Sequence, residues 1–154
     1  MTGGKVPRSL RDRLVAQAGR RCSYCRSSEQ ITGIELELDH VLPEALGGTS
    51  DEANLIPSCG PCNDHEQARV MAEDPLTGQT VELFHPRWQR WTDHFAWEEG
   101  GLRIQGLTPS GRATEHALQL NRPAVVAARR FWIAAGWHPP ADDSQPRRPA
   151  PDGC

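Results

Sequence analysis

Two pairs of cysteines have the spacing of metal ligands. Cys22 and Cys25 form one Cys-x-x-Cys pair, and Cys59 and Cys62 form the other. Two such pairs supply four thiolates in two short chelating loops, which is the ligand set of a tetrahedral structural zinc site. A redox-active dithiol is the alternative, but a thioredoxin-like role needs a single pair near a βαβ unit. The spacing therefore predicts a closed zinc site that stabilises the fold and takes no part in catalysis.

A second set of residues could carry out hydrolytic chemistry. Asp39 and His40 adjoin at the end of a segment in which apolar and polar residues alternate, and Asn63 directly follows Cys62. Carboxylate and amide oxygens bind hard divalent cations, and a neutral imidazole accepts a proton from water. A purely structural interpretation also exists for each residue. His40 is in phase with the apolar residues of its segment, and Asn63 could cap a helix.

These motifs, taken in order, resemble the HNH endonuclease family in its cysteine-containing form. The matching elements are Asp39-His40, the Gly47-Gly48 loop, Asn54-Leu55 on the return, and Cys62-Asn63. The resemblance covers about residues 20–72 and implies an α+β fold. Its centre would be a ββα-metal, treble-clef-like core braced by the four-cysteine zinc site. The activity implied is divalent-metal-dependent hydrolysis of phosphodiester bonds in DNA.

The resemblance also implies roles for individual residues. His40 would be the general base, Asp39 and Asn63 would hold one catalytic Mg²⁺ or Mn²⁺, and Asn54 would brace the loop. One position departs from the family's pattern, because Glu66 stands where a lysine is common, on the helical face of Asn63. The change removes a phosphate contact. It leaves three expectations open: Glu66 repels DNA, adds a metal ligand or sits at the rim without effect.

The predicted elements place these residues on a strand, a loop and a helix. Alternation predicts a half-buried strand over residues 34–40, residues 54–57 form its return, and a helix starts at Pro61 and runs to about Ala72. The other predicted elements are a helix over 7–18, a strand over 81–84, a hairpin of 95–97 with 102–104, and helices over 108–120 and 123–135. The close spacing of five aromatic residues predicts that they pack in the core: Trp91, Phe95, Trp97, Phe131 and Trp132.

The length of 154 residues fits one domain. We expect this domain to span residues 1–138, with residues 73–138 as an extension of the motif core. Residues 139–154 are rich in proline and lack apolar periodicity, which predicts a disordered tail.

Charge is distributed unevenly along the chain. The net charge of −3 alone disfavours a nucleic-acid binder. Residues 1–30, however, carry seven Lys/Arg and two Asp/Glu, whereas residues 31–66 carry eight Asp/Glu and no Lys/Arg. This pattern fits a cation site within a polyanion-binding surface, and a solvated acidic face is the alternative. The candidates for phosphate contacts are Arg8, Arg11, Arg13, Arg20, Arg21 and Arg26.

Composition also bears on compartment and partners. No apolar run is long enough to cross a membrane, and the N-terminus lacks the apolar stretch of a secretory signal. We therefore expect a cytoplasmic protein with DNA, and no membrane, as its partner. A homodimer would explain cuts in both strands, although nothing in the sequence indicates one. Two other functions stay open: a zinc-stabilised nucleic-acid or protein-binding module without cleavage, and a metalloenzyme that uses this scaffold for other chemistry.

Overall fold

A β-hairpin followed by a short helix forms the centre of the protein. The computed structural model describes residues 6–141 and 145–146. The first five elements are helix α1 (Arg8–Gln17), helix α2 (Glu29–Thr32), strand β1 (Glu37–His40), strand β2 (Leu55–Ser58) and helix α3 (Gly60–Glu66). Helix α1 buries Leu14 and Val15 and packs on β2. The predicted α+β class, with a four-cysteine cluster in a ββα unit, is confirmed.

Strand β1 is shorter than the alternation predicted. It pairs antiparallel with β2 from Glu37 opposite Ser58 to His40 opposite Leu55. Ile34 is 70% exposed and lies before the ladder. Side chains bind the backbone of Leu36 in place of a partner strand, since its N–H donates to Glu29 Oε2 at 3.1 Å and its C=O accepts from Arg11 at 2.9 Å. The prediction of a strand over 34–40 is therefore wrong at its first three residues.

Helix α3 also ends earlier than the predicted Ala72. Gln67 and Ala68 have φ values of 54° and 57°, which a helix does not accommodate. The guanidinium of Arg69 donates to the C=O groups of Glu66 and His65 at 3.0 and 2.7 Å and so satisfies carbonyls at the end of the helix. The chain then continues as an extended segment.

The extension consists of two hairpins and three helices. Its elements are β3 (Met71–Glu73), β4 (Thr80–Glu82), α4 (Trp91–His94), β5 (Phe95–Glu98), β6 (Arg103–Gly106), α5 (Pro109–Ala117) and α6 (Pro123–Ala134). Helix α5 packs closely on β6 and contacts β3 and β4. Helix α5 also approaches the end of α4 closely, since a Cβ at Gly111 would lie 2.1 Å from the C=O oxygen of His94. The β5–β6 hairpin and both long helices lie where the sequence predicted them.

Aromatic residues join the extension to the cysteine-containing half. Trp91 and Phe95 are buried, and the indole N–H of Trp91 donates to the C=O of Tyr24 at 2.9 Å.

Phe131 is 74% exposed, which contradicts its predicted place in the core. Helix α6 instead turns Val125 and Arg129 inward, because Arg129 donates to the C=O groups of Leu102 and Leu120.

Most of the predicted disordered tail, including Cys154, lies outside the described residues. Within its described part, Gln145 makes three hydrogen bonds, and His138, which directly precedes the tail, is buried. The Gln145 amide accepts from the N–H of Trp91 and donates to the C=O groups of Pro86 and Gln89, at 2.7 to 2.8 Å. These contacts place Gln145 against the start of α4.

Candidate active site and metal centre

The four cysteines converge on one point. The sulfur atoms of Cys22, Cys25, Cys59 and Cys62 all lie within 4.8 Å of one another, and those of Cys25 and Cys59 are 3.6 Å apart. Four thiolates bonded to one zinc ion at about 2.3 Å have this spacing. No disulfide forms among them. The donor set therefore fits a structural zinc ion.

Backbone hydrogen bonds hold the first cysteine pair in place. The N–H of Cys22 donates to the C=O of Ser27 at 2.9 Å, and the N–H of Tyr24 donates to the sulfur of Cys22 at 3.4 Å. The N–H of Ser23 donates to the C=O of Pro57 on β2, also at 2.9 Å. The turn between Cys22 and Cys25 is thereby fixed to the strand that leads into the second pair.

Charge around the cysteines suits a tetrathiolate site. Burial raises the pKa of the Cys22 thiol, while hydrogen bonds from neighbouring thiols, Cys22 first, lower that of Cys25. Burial opposes the charge on Arg122, but negative charge on Cys25 and Cys62 outweighs it and raises the pKa of this guanidinium. A zinc ion with four thiolates carries net negative charge, which Arg122 offsets.

Asp39 points from β1 towards α3 and is almost entirely buried. It is 8% exposed, and its Oδ2 has no hydrogen-bond partner among the residues that the structure describes. Burial raises the pKa of Asp39 above its usual range. A buried carboxylate oxygen without a partner is costly, and a cation would remove that cost. The carboxylate thus fits a metal ligand.

Glu66 is buried beside Asp39, which none of the three expectations for this residue anticipated. Only 3% of Glu66 is exposed, and its Oε2 accepts a hydrogen bond from the Tyr24 hydroxyl at 3.1 Å. Burial, followed by the neighbouring Asp39 carboxyl, raises the pKa of Glu66 to about 10. Because it is buried, Glu66 does not lie at the rim. The expectation that Glu66 repels DNA stays a prediction. The expectation of an added metal ligand stays a prediction.

His40 points away from Asp39, as neighbours on a strand do. Its Nε2 lies 2.9 Å from Ser50 Oγ and 3.3 Å from Glu44 Oε1, and one quarter of its side chain is exposed. The Glu44 carboxylate can only accept, so it favours the tautomer that carries the proton on Nε2. In that tautomer the Nδ1 lone pair of His40 is basic.

Asn54 braces the loop that holds Ser50 near His40. Its Oδ1 accepts from the N–H of Leu42 at 2.8 Å, and its Nδ2 donates to the C=O groups of Leu42 and Thr49 at 2.9 and 2.7 Å. The same loop needs glycine, because a Cβ at Gly48 would lie 1.7 Å from the C=O oxygen of Leu42. The Gly-Gly loop and Asn54 therefore act together to shape the loop.

Asn63 lies on α3 one turn before Glu66, so both side chains face β1. Its Nδ2 is 3.5 Å from Glu37 Oε2, and Glu37 shares the face of β1 with Asp39. The predicted ligands Asp39 and Asn63 thus project from facing elements. His40 lies next to Asp39 in the chain, at the end of the same strand.

The arginines proposed as phosphate contacts are largely engaged with acidic residues or backbone. The contacts are Arg8–Glu35 at 3.6 Å, Arg11–Glu29 at 3.5 Å, Arg13–Glu52 at 3.0 Å, Arg20–Glu29 at 3.1 Å, and Arg21 with the C=O of Arg26 at 3.1 Å. Two of these contacts, Arg8–Glu35 and Arg13–Glu52, join the basic block to the acidic block, and the other three lie within the basic block.

The candidate arginines differ in how much of each side chain is exposed to solvent. The side chains of Arg8, Arg13 and Arg20 are at least half exposed, and ion pairs at such positions are weak. Phosphate could replace their partners. Arg26 is 2% exposed, so the prediction that it contacts phosphate is wrong, because its guanidinium does not reach the surface.

The sequence that carries the candidate site matches a known family. The family model for HNH endonuclease matches residues 22–69, the segment that holds both cysteine pairs, Asp39, His40 and Asn63. The resemblance inferred from the motifs is thus confirmed for this segment, the HNH domain, in which the four cysteines cluster. No curated protein and no solved structure matches the chain. Among the described residues, no helix has the length and apolar character that crossing a bilayer requires.

Sequence reasoning missed Tyr24, whose hydroxyl binds Glu66. Its position inside the first Cys-x-x-Cys pair could have indicated burial, because both flanking cysteines must face the metal. It also missed an apolar cavity beside Glu66, whose lining comes from segments far apart in sequence.

Proposed function

We propose that this protein is an endonuclease that hydrolyses phosphodiester bonds in DNA with the help of a divalent cation. The observation that supports this most is the buried Asp39 carboxylate oxygen without a partner, next to His40 and opposite the helix that carries Asn63. An HNH domain over residues 22–69 supports nuclease chemistry in general.

Asp39 and Asn63 would hold the catalytic cation, Mg²⁺ or Mn²⁺, through carboxylate and amide oxygens. The cation would neutralise the negative charge that develops on the phosphate and on the leaving oxygen. The four cysteines would hold zinc as a structural ion.

His40 acts as the general base. Its Nε2 stays bonded to Ser50 and Glu44, and its Nδ1 takes a proton from water. The resulting hydroxide attacks phosphorus, the P–O bond to the leaving oxygen breaks, and that oxygen takes up a proton from water. His40 then releases its proton to solvent and returns to the neutral form. Proton transfer of this kind contributes about 10²–10⁴-fold to rate.

The test is conversion of supercoiled plasmid by zinc-loaded protein in Mg²⁺, Mn²⁺ or EDTA, alongside His40→Ala. The matched control is His116→Ala, because His116 is exposed on α5 and outside the HNH domain. We expect metal-dependent nicking that His40→Ala abolishes and His116→Ala retains, with equal zinc content and circular dichroism in all three. Nicking by His40→Ala at the wild-type rate would overturn the proposal.

The contact between Glu66 and Asp39 favours a second candidate, a zinc-stabilised nucleic-acid-binding module without cleavage. A protonated carboxyl beside Asp39 competes with a cation for that carboxylate. Binding of DNA without cleavage in any metal would establish this function.

Four reduced cysteines in one cluster also support a reducing compartment such as the cytoplasm.

A further inference from the structure

A cavity of about 610 Å³ lies between the HNH domain and the extension. Val41 and Leu42, which follow His40 directly, form part of its wall, and Glu66 lines it from α3. The opposite wall comes from residues 82–85 and 88–89. The cavity therefore lies beside the residues that follow β1 and His40, and its volume is in the range of small-ligand sites.

The wall from the extension presents an aromatic face and hydrogen-bonding groups. Trp88 is 61% exposed, and its ring meets that of His85 edge-on at a centroid distance of 5.6 Å. The Nδ1 of His85 accepts from the N–H of Arg87 at 3.2 Å, which leaves the proton on Nε2. Burial lowers the pKa of His85 to about 4, so the ring is neutral at physiological pH. Gln89 adds an amide whose oxygen accepts from the N–H of His85 at 2.8 Å.

The lining does not favour an anionic ligand. Arg69 is the sole cationic residue of the wall among the described residues. Its guanidinium donates to three backbone C=O groups, those of Glu66, His65 and Ala117, at 2.7 to 3.3 Å. Glu66 and Glu82 supply carboxyl groups to the same lining. The chemistry suits a neutral, planar ring with polar edges, which is the chemistry of a nucleobase.

We propose that this cavity binds one unpaired nucleobase next to the scissile phosphate, stacked on Trp88. The position of the base rests on the proposed nuclease function, since the wall residues Val41 and Leu42 directly follow His40 in the chain. The preferred substrate is then single-stranded DNA or a duplex with a locally unpaired nucleotide, because a base within a stack does not enter a cavity. Stacking on an aromatic side chain is a common way to hold such a base.

Binding of a short single-stranded oligonucleotide, measured by fluorescence anisotropy without added divalent cation, tests the cavity apart from cleavage. We expect Trp88→Ala to weaken binding about 5- to 150-fold and Trp88→Phe to retain most of it. Trp137→Ala is the matched control, because Trp137 is 58% exposed but does not line the cavity, and its affinity should stay within about twofold of wild type. An oligonucleotide with 2-aminopurine should lose fluorescence on binding to wild type and not to Trp88→Ala.

The outcomes separate this proposal from the nuclease. Equal affinities and equal quenching for wild type and Trp88→Ala, or no binding of single strands by wild type, would overturn the base-binding cavity. Nicking that depends on metal and His40 would then still establish the nuclease. Conversely, binding that depends on Trp88 in a protein that never cleaves would support the cavity and overturn the nuclease. Tighter binding of an apolar peptide than of any oligonucleotide would also overturn it.

Discussion

Asn54 and Asn63 are the same type of residue, but their side chains make different contacts. Asn54 makes three hydrogen bonds of 2.7 to 2.9 Å to the backbone of its own loop. Asn63 makes one long side-chain contact, of 3.5 Å, to Glu37. The first side chain thus stabilises structure, while the second is available to a ligand.

We predict that Asn54→Ala lowers the free energy of unfolding by about 2–3 kcal/mol, at about 1 kcal/mol for each lost hydrogen bond. Urea unfolding of the zinc-loaded protein measures this. A free energy of unfolding within about 0.5 kcal/mol of wild type would contradict the bracing role.

We predict the opposite pattern for Asn63→Ala. Its unfolding free energy should stay within about 0.5 kcal/mol of wild type, because the residue has only a long contact to lose. Its metal-dependent nicking should fall about 100-fold or more, the loss typical of removing one group that stabilises charge in a reaction. Full activity at saturating Mg²⁺ would exclude Asn63 as a ligand.

At the scale of elements, one ion pair ties the turn of the β3–β4 hairpin to α5. Asp74 is buried and accepts two hydrogen bonds from Arg112, at 3.0 and 2.9 Å. The Arg112 guanidinium lowers the pKa of Asp74 to about 2, below its usual 3.8. The folded state therefore releases the Asp74 proton more readily than the unfolded state does.

This shift predicts how stability depends on pH. Since the pKa of Asp74 is lower in the folded state, its contribution is complete above about pH 4 and is lost as the pH falls towards 2. Asp74→Asn should lower the melting temperature at pH 7 and flatten the fall of stability between pH 4 and 2. Exposed Asp93→Asn is the control and should keep the wild-type slope. An unchanged slope in Asp74→Asn would contradict the assignment.

Sequence patterns were sufficient to predict some helices and strands but not the bounds of others. The β5–β6 hairpin and helices α5 and α6 were predictable because turn residues, Pro starts and Gly ends act locally. The start of β1 was not, since the backbone of Leu36 is bound by Glu29 and Arg11, which only the tertiary fold brings there. The end of α3 depends on positive φ values at Gln67 and Ala68. Neither glutamine nor alanine is a residue type that indicates such a conformation.

The same distinction applies to the site. Each Cys-x-x-Cys pair, like the Asp39-His40 pair, lies within a short segment. The residue types and their spacing were therefore enough to identify these residues as candidates from the sequence. The burial of Glu66 against Tyr24 joins residues far apart in the chain, and the helical face alone did not indicate it. Likewise, the spacing of apolar residues along α6 did not predict that this helix buries Arg129 and exposes Phe131.

At the scale of the whole molecule, the metal centre and the extension share one core. Buried residues from both halves, such as Cys22, Tyr24, Phe84 and Trp91, belong to a single apolar cluster. The Trp91 indole donates to the C=O of Tyr24, between the first two cysteines. Unfolding of the segment around the cysteines should therefore also unfold the extension.

We predict that removing zinc unfolds both halves in one transition. Structural zinc contributes about 10–16 kcal/mol in small metal-folded peptides, which is comparable to the stability of a typical domain, about 5–15 kcal/mol. Cys59→Ser should therefore lack zinc and show a red-shifted tryptophan emission together with lost helical circular dichroism, since Trp91 becomes exposed. Cys154→Ser, which leaves both pairs intact, should bind one zinc ion and match wild type. Chelation that releases zinc while the tryptophan emission stays unchanged would show instead that the extension folds independently of the metal, and that the shared core is not what couples the two halves.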